Sequence, residues 1–138
     1  ARGAITGLSF ASTRAHIARA ALEAMAGQSY DLKSAFAADG ADWTVLNIDG
    51  GMVANDWMAQ DLADMLRIEV RRPHVIESTA LGAAMLAAVG AGIYPTLEDA
   101  AGAMRGTGDV FVPQMEDSVR EARLAQWQAA LARVLAEH

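Results

Sequence analysis

Apolar residues first recur at steps of three and four through Ile17, Ala20/Ala21, Ala24/Met25, Leu32 and Ala35/Phe36. That period predicts a long helix from about Thr13 to Ala38. Ser12 or Thr13 can cap it, but neither has Glu or Gln three residues on, so no capping box is expected. Gly27 stands inside as a weak point. Arg19 and Glu23 sit four apart and can pair, in the weaker order. Asp39-Gly40 breaks the helix. Val45, Leu46 and Ile48 then predict a short strand buried on both faces. Trp57, Met58, Leu62, Met65 and Leu66 predict a second helix with Asn55 or Asp56 at its cap. Asp61 and Asp64 on that helix are read as facing solvent. Ile68-Glu69-Val70 reads as a second short strand, closed by Pro73.

Glu77-Ser78-Thr79 leads into a helix of small residues over 80–90, read either as a plain capped helix or as a surface for close approach. Pro95-Thr96 starts a short helix from Leu97 to Met104. Arg105–Asp109 (RGTGD) reads as a surface loop and Val110–Pro113 as extended chain. Val119, Leu124, Trp127, Leu131, Val134 and Leu135 predict a closing amphipathic helix. Two strands joined through a helix make a parallel pair, so the fold class is α/β and rich in helix. Parallel strands are normally buried among others, and two of them make a poor sheet alone. Missing partners are expected.

Composition narrows the picture. Of 138 residues 53% are hydrophobic and only 6% aromatic, so the core is built from small aliphatic side chains. The net charge is −6 and the only adjacent basic pair is Arg71-Arg72, which argues against nucleic-acid binding. There is no cysteine. The most apolar run, Ala80–Ile93, is shorter than the roughly 18–20 residues a membrane span needs. A cytoplasmic chain with no membrane partner is expected. The opening ARGAITGLSF lacks Met and is apolar at once, so a piece of a longer protein is also expected.

The candidate chemistry lies in NIDGGMVAND (47–56). Its glycines are open to two readings: a tight strand-to-helix turn, or bare backbone for a ligand at the carboxyl end of a parallel strand. In the second, a flat ring approaches Gly51 and Asn55 offers an amide hydrogen bond. The stretch is neither G-x-G-x-x-G nor a phosphate loop with its Lys. His16, His74 and His138 are scattered and have no ligand spacing, so no metal site is expected. Ser9, Ser12 and Ser78 lack a G-x-S-x-G context.

Four ordered segments together resemble the FGGY carbohydrate kinases over nearly the whole chain. ARGAITGLSF and HIARAALEAMAGQSYDL are similar to the family's ARG-x-I-x-GLT and HI-x-RA-x-LE-x-x-A-x-Q. IDGGMVANDWMAQDLADML is similar to DGG-x-x-x-N-x-x-x-x-Q-x-x-AD, and VRRPHVIESTALGAAMLAAVGAG to V-x-RP…E-x-TALGAA-x-LAG. Asp49, Gly50, Gly51, Asn55 and Asp56 follow the form of the glycerol-phosphorylating branch, whereas xylulose- and gluconate-type members show Ser-Gly-Gly and a later Ser. Leu8-Ser9 departs from the usual Leu-Thr.

The resemblance implies part of an actin-like ATPase (ribonuclease H-like) domain, helix-rich, with a short parallel sheet lacking its first three strands. It implies residues 1–138 as the C-terminal portion of the nucleotide-binding lobe, the N-terminal lobe being absent. The implied reaction is transfer of phosphate from ATP, with Mg²⁺, to glycerol or to another polyol such as erythritol. Gly50, Gly51 and Asn55 are implied as nucleotide-binding, Gly51 and Asn55 by contact and Gly50 by shaping the turn. Glu23, Gln60 and Asp64 match family positions and are given structural roles only. The family's catalytic Asp, polyol-binding residues and main phosphate loops fall upstream, so no catalytic residue is assigned. The chain alone is expected to be inactive and to bind ATP weakly at best; its uncovered strand edge is expected to lead to self-association or a homo-oligomer, a swapped edge, or a rearranged helix cover. A non-catalytic helical interaction module is the alternative of a different class.

Overall fold

The computed structural model describes residues 3–136, so His138 and the start of the ARGAITGLSF segment lie outside it. Helix α1 spans Arg14–Ala38 with Thr13 at its cap. The Thr13 backbone N–H donates to His16 Nδ1 at 3.1 Å, so a histidine takes the part the sequence reading reserved for Glu or Gln. The Arg19–Glu23 pair forms at 2.8 Å. Gly27 is buried, and a Cβ there would lie 2.5–2.8 Å from Trp127 ring atoms. It is a packing position under an indole, not a weak point. The indole N–H of Trp127 is fixed by donating to Asp31 at 2.8 Å.

Three short strands form one sheet in the order β1 (Val45–Asn47), β2 (Glu69–Arg72), β3 (Asp109–Phe111). β1 and β2 are parallel, with Leu46 opposite Val70. The helix between them, α2 (Asp56–Leu66), makes the crossover. β3 is antiparallel to β2, with Arg72 opposite Asp109. The sheet is therefore mixed, which corrects the expected parallel sheet. The extended segment after the RGTGD loop turns back along β2, where the cross-strand Arg72–Asp109 ion pair fixes its register. β1 forms the other edge. Its Val45 and Leu46 are only half-buried and Asn47 is exposed, so the expected burial of both faces is not met.

The core forms where α2 meets the sheet, α1 and the closing helix α5 (Asp117–Ala136). Met65 and Val70 are its largest wholly enclosed side chains. Asp61 and Asp64 are buried in it, at 3% and 8% exposure, against the expectation that they face solvent. Each is buried because it has partners. Both oxygens of Asp61 pair with the Arg123 guanidinium of α5. Asp64 accepts from the backbone N–H groups of Gln114 and Met115 at 2.6 and 3.1 Å, and from Gln60 at 3.1 Å. The solvent-facing side that a sequence window assigns to α2 is thus covered by residues fifty or more positions away.

Helix α3 (Ser78–Gly90) packs on α4 (Leu97–Met104) as a separate hairpin. Thr96 caps α4 by accepting from the Asp99 N–H at 3.1 Å. Met85 and Ala100 are buried there, while Leu86 and Ile93 are exposed.

Candidate functional site

The two glycines after β1 have different physical reasons. Gly50 has φ 88° and ψ 168°, a region that essentially only glycine occupies. Its N–H donates to the Ile76 carbonyl at 2.8 Å, which ties the turn to the segment before α3. Gly51 carries no positive φ, and a Cβ on it would meet nothing within 4 Å. Neither the turn nor the packing of this chain requires glycine at 51. Gly51 opens a single 3₁₀ turn, Gly51–Ala54, which delivers the chain to α2.

Asn55 is the N-cap of α2, and its side-chain oxygen accepts from the Met58 N–H at 3.2 Å. The capping reading and the ligand reading of Asn55 are compatible, because the cap uses the oxygen and leaves the amide protons to donate. Arg19 of α1 lies 3.7 Å over the ring of Trp57, in the first turn of α2.

Arg72 stands behind this turn, with its side chain 12% exposed. It donates to the Val53 carbonyl at 2.7 Å, to Asp56 at 2.7 Å and to Asp109 at 2.6 Å. Its guanidinium also lies 5.2 Å from the Phe111 ring centre. The Asp109 hydrogen bond, followed by that of Asp56, holds the guanidinium even more firmly protonated than usual. Reciprocally, the hydrogen bond from Arg72 holds the Asp109 carboxyl below the ordinary carboxylate range. Sequence reading gave this residue no role, placing it only in the Arg71-Arg72 basic pair and in the V-x-RP match. Its one available signal was the position just before Pro73.

A cavity of about 510 Å³ opens beside the turn, between the carboxyl ends of β1 and β2, the first turns of α3, and the 105–109 loop. Asn47, Asp49, Arg71, Ser78, Arg105 and Gly108 are among its walls. Gly50, Gly51 and Asn55 do not line it: the structure brings these three together on one turn but outside the cavity. The RGTGD loop is exposed, as expected, and also forms one wall. Among the described residues no three His, Cys, Asp or Glu side chains converge on a point that would hold a metal ion. None of their helices is long and apolar enough to cross a membrane.

A glycine-bearing turn at the carboxyl end of a parallel strand, leading into a capped helix, is where open α/β sheets commonly take their ligands. The chain belongs to the FGGY family of carbohydrate kinases, whose C-terminal domain matches residues 1–91. It is 52% identical to glycerol kinase from Rhodospirillum centenum over 133 residues, covering 96% of this chain and 26% of that protein. It is 47% identical to glycerol kinase from Coxiella burnetii over 135 residues, covering 98% of this chain and 27% of that one. Among solved structures it resembles Plasmodium falciparum glycerol kinase with ADP, with TM-score 0.76 and 32% identity over 96% of this chain and 27% of that one. Xylulose kinase from Rhodospirillum rubrum also matches, with TM-score 0.77 and 27% identity over 99% of this chain and 28% of that one. The fold is thus that of the FGGY kinases, and the chain spans about a quarter of the length of these relatives.

Proposed function

We propose that this chain is the C-terminal portion of the nucleotide-binding lobe of a cytoplasmic glycerol kinase, which converts glycerol and ATP to glycerol 3-phosphate and ADP. It contributes part of the nucleotide site, and the polyol and the reacting phosphate are handled by the rest of the enzyme. The observation that carries this is Gly51. Its glycine is needed neither for backbone conformation nor for internal packing, and its place at the carboxyl end of a parallel strand supports close approach by something outside the chain.

In this reading a flat adenine ring lies against the bare Gly51 backbone. The Asn55 amide, held by its capping bond to Met58, donates to a ring nitrogen. Gly50 sets the strained turn that presents both. These residues position the nucleotide, and positioning with charge stabilisation is most of what phosphoryl transfer asks of a protein. Mg²⁺ supplies charge neutralisation on the phosphates when bound. No role here is routed through it.

The same reading accounts for the unpartnered surfaces. The β1 edge and the outer side of α3 are covered by the remainder of the enzyme, and in the isolated chain the edge pairs with a second copy. Light scattering of the isolated chain reads that association directly. The nucleotide site is tested by titrating the chain with ADP and following its backbone amides by NMR. Weak saturable shifts centred on Gly50, Gly51 and Asn55 are expected. Shifts centred instead on the cavity residues Arg105 and Gly108, or none at all, would overturn the assignment.

A further inference from the structure

Arg72 joins parts of the chain that are far apart in sequence. One amino group donates to the Val53 carbonyl at 2.7 Å, inside the 3₁₀ turn that begins at Gly51 and directly before Asn55. The other donates to Asp56 in the first turn of α2 and to Asp109 at the start of β3. The backbone adds a further link. A Cβ on Gly108 would fall under 3 Å from the Arg72 carbonyl and from Pro73, so loop 105–109 lies flat against β2 at this residue. Only a planar fork with several N–H groups can serve these acceptors together, and a lysine ammonium cannot reproduce that geometry. The guanidinium is largely enclosed, whereas Asp56 is mostly exposed and Asp109 about half exposed. The arginine is the enclosed centre on which the two acids converge.

We propose that Arg72 is the positioning residue of the nucleotide turn, and that it couples the Gly50–Asp56 turn to the Arg105–Asp109 loop so that the two order and loosen together. The proposal rests on the nucleotide reading for its consequence in binding, but the coupling itself is a property of the unliganded chain. With the turn held from behind, Gly51 and Asn55 keep the spacing that one flat ligand needs. With the loop held by the same group, occupancy of the turn is felt at the wall of the neighbouring cavity, where Arg105 and Gly108 stand.

The test is amide hydrogen exchange of the full chain, wild type against Arg72→Gln and Arg72→Lys, with and without ADP. Without ligand, Arg72→Gln should raise exchange together in segments 50–56 and 105–111, while α1 and α5 around Gly27 and Trp127 keep wild-type protection. Arg72→Lys should fall between. Losing hydrogen bonds to charged groups should weaken ADP binding roughly tenfold or more in Arg72→Gln. Exchange that rises in only one of the two segments, or uniformly across the chain, would overturn the coupling.

If Arg72→Gln does not fold, Asp109→Asn removes one arm. It should loosen the turn at 50–56 as well as the loop, and loosening of the loop alone is the contrary result. If wild-type chain shows no ADP protection, the nucleotide reading fails, and the coupling still stands or falls on the ligand-free comparison.

Discussion

Helix α2 carries three aspartates and buries eight of its eleven residues, whereas α3 carries no charge and buries only Met85. By composition the order should be reversed, since a helix that is apolar all round is normally an interior one. The difference lies in what surrounds each. α2 is flanked by the sheet, by α1 and by α5, and its acids are received by Arg123 and by the backbone of Gln114 and Met115. α3 has α4 as its principal neighbour, and Leu86 stands 63% exposed. Burial follows the partners available in space. A chain spanning about a quarter of its relatives' length can hold its most apolar helix on the surface.

The largest effect that sharpens this contrast is at Asp61. Asp61→Ala removes both short hydrogen-bonded contacts of the half-buried Arg123 guanidinium, leaving it only Glu23 at 3.8 Å, and should cost about 3 kcal/mol, read by urea denaturation. Gly27→Ala should cost about 2 kcal/mol by forcing Trp127 off its bond to Asp31, with loss of the near-ultraviolet signal of that indole. Leu86→Ser on α3 should shift stability by less than about 0.5 kcal/mol, as expected for an exposed position. A Leu86→Ser cost equal to that of Asp61→Ala would break the comparison.

Elements set by local rules were legible in the sequence. The bounds of α1 and α4 follow from periodicity and capping chemistry, the cap of α2 is narrowed to Asn55 or Asp56, and the parallel β1–β2 pair follows from the helical connection between two strands. What escaped depends on residues distant in the chain. The aspartates of α2 look solvent-facing in any local window, because Gln114, Met115 and Arg123 are some fifty to sixty positions away. β3 went unrecognised as a sheet member because three residues carry no period, and its place is fixed by Asp109 meeting Arg72. The His16 cap was missed for a different reason: the rule names Glu and Gln, whereas the requirement is only an acceptor at the right reach. At the candidate site the sequence pointed to Gly50, Gly51 and Asn55, with a flat ring expected at Gly51, but it held no physical measure of the difference between the two glycines. Backbone angles and open space divide them.

A smaller effect concerns pH at the edge of the sheet. The Asp109 carboxyl is depressed by Arg72, so its contribution is complete above the ordinary carboxylate range and is lost as pH falls through the depressed value. Acidification should therefore loosen β3 at Asp109–Phe111 while the Gly27–Trp127 contact, which has no part in that pair, keeps its protection. Hydrogen exchange at neutral and at acid pH distinguishes local loosening from general unfolding.

The division of labour between the two glycines is the sharpest point to test. Thermal unfolding and ADP titration of Gly50→Ala and Gly51→Ala, run side by side with wild type, address it in one experiment. Gly50→Ala should lower stability by about 1–3 kcal/mol, because its backbone conformation is closed to other residues. Gly51→Ala should leave Tm at or slightly above wild type, since its backbone already suits alanine, and should abolish the ADP-dependent shift at Asn55. Gly51→Ala binding ADP as wild type does, or unfolding as readily as Gly50→Ala, would contradict the account.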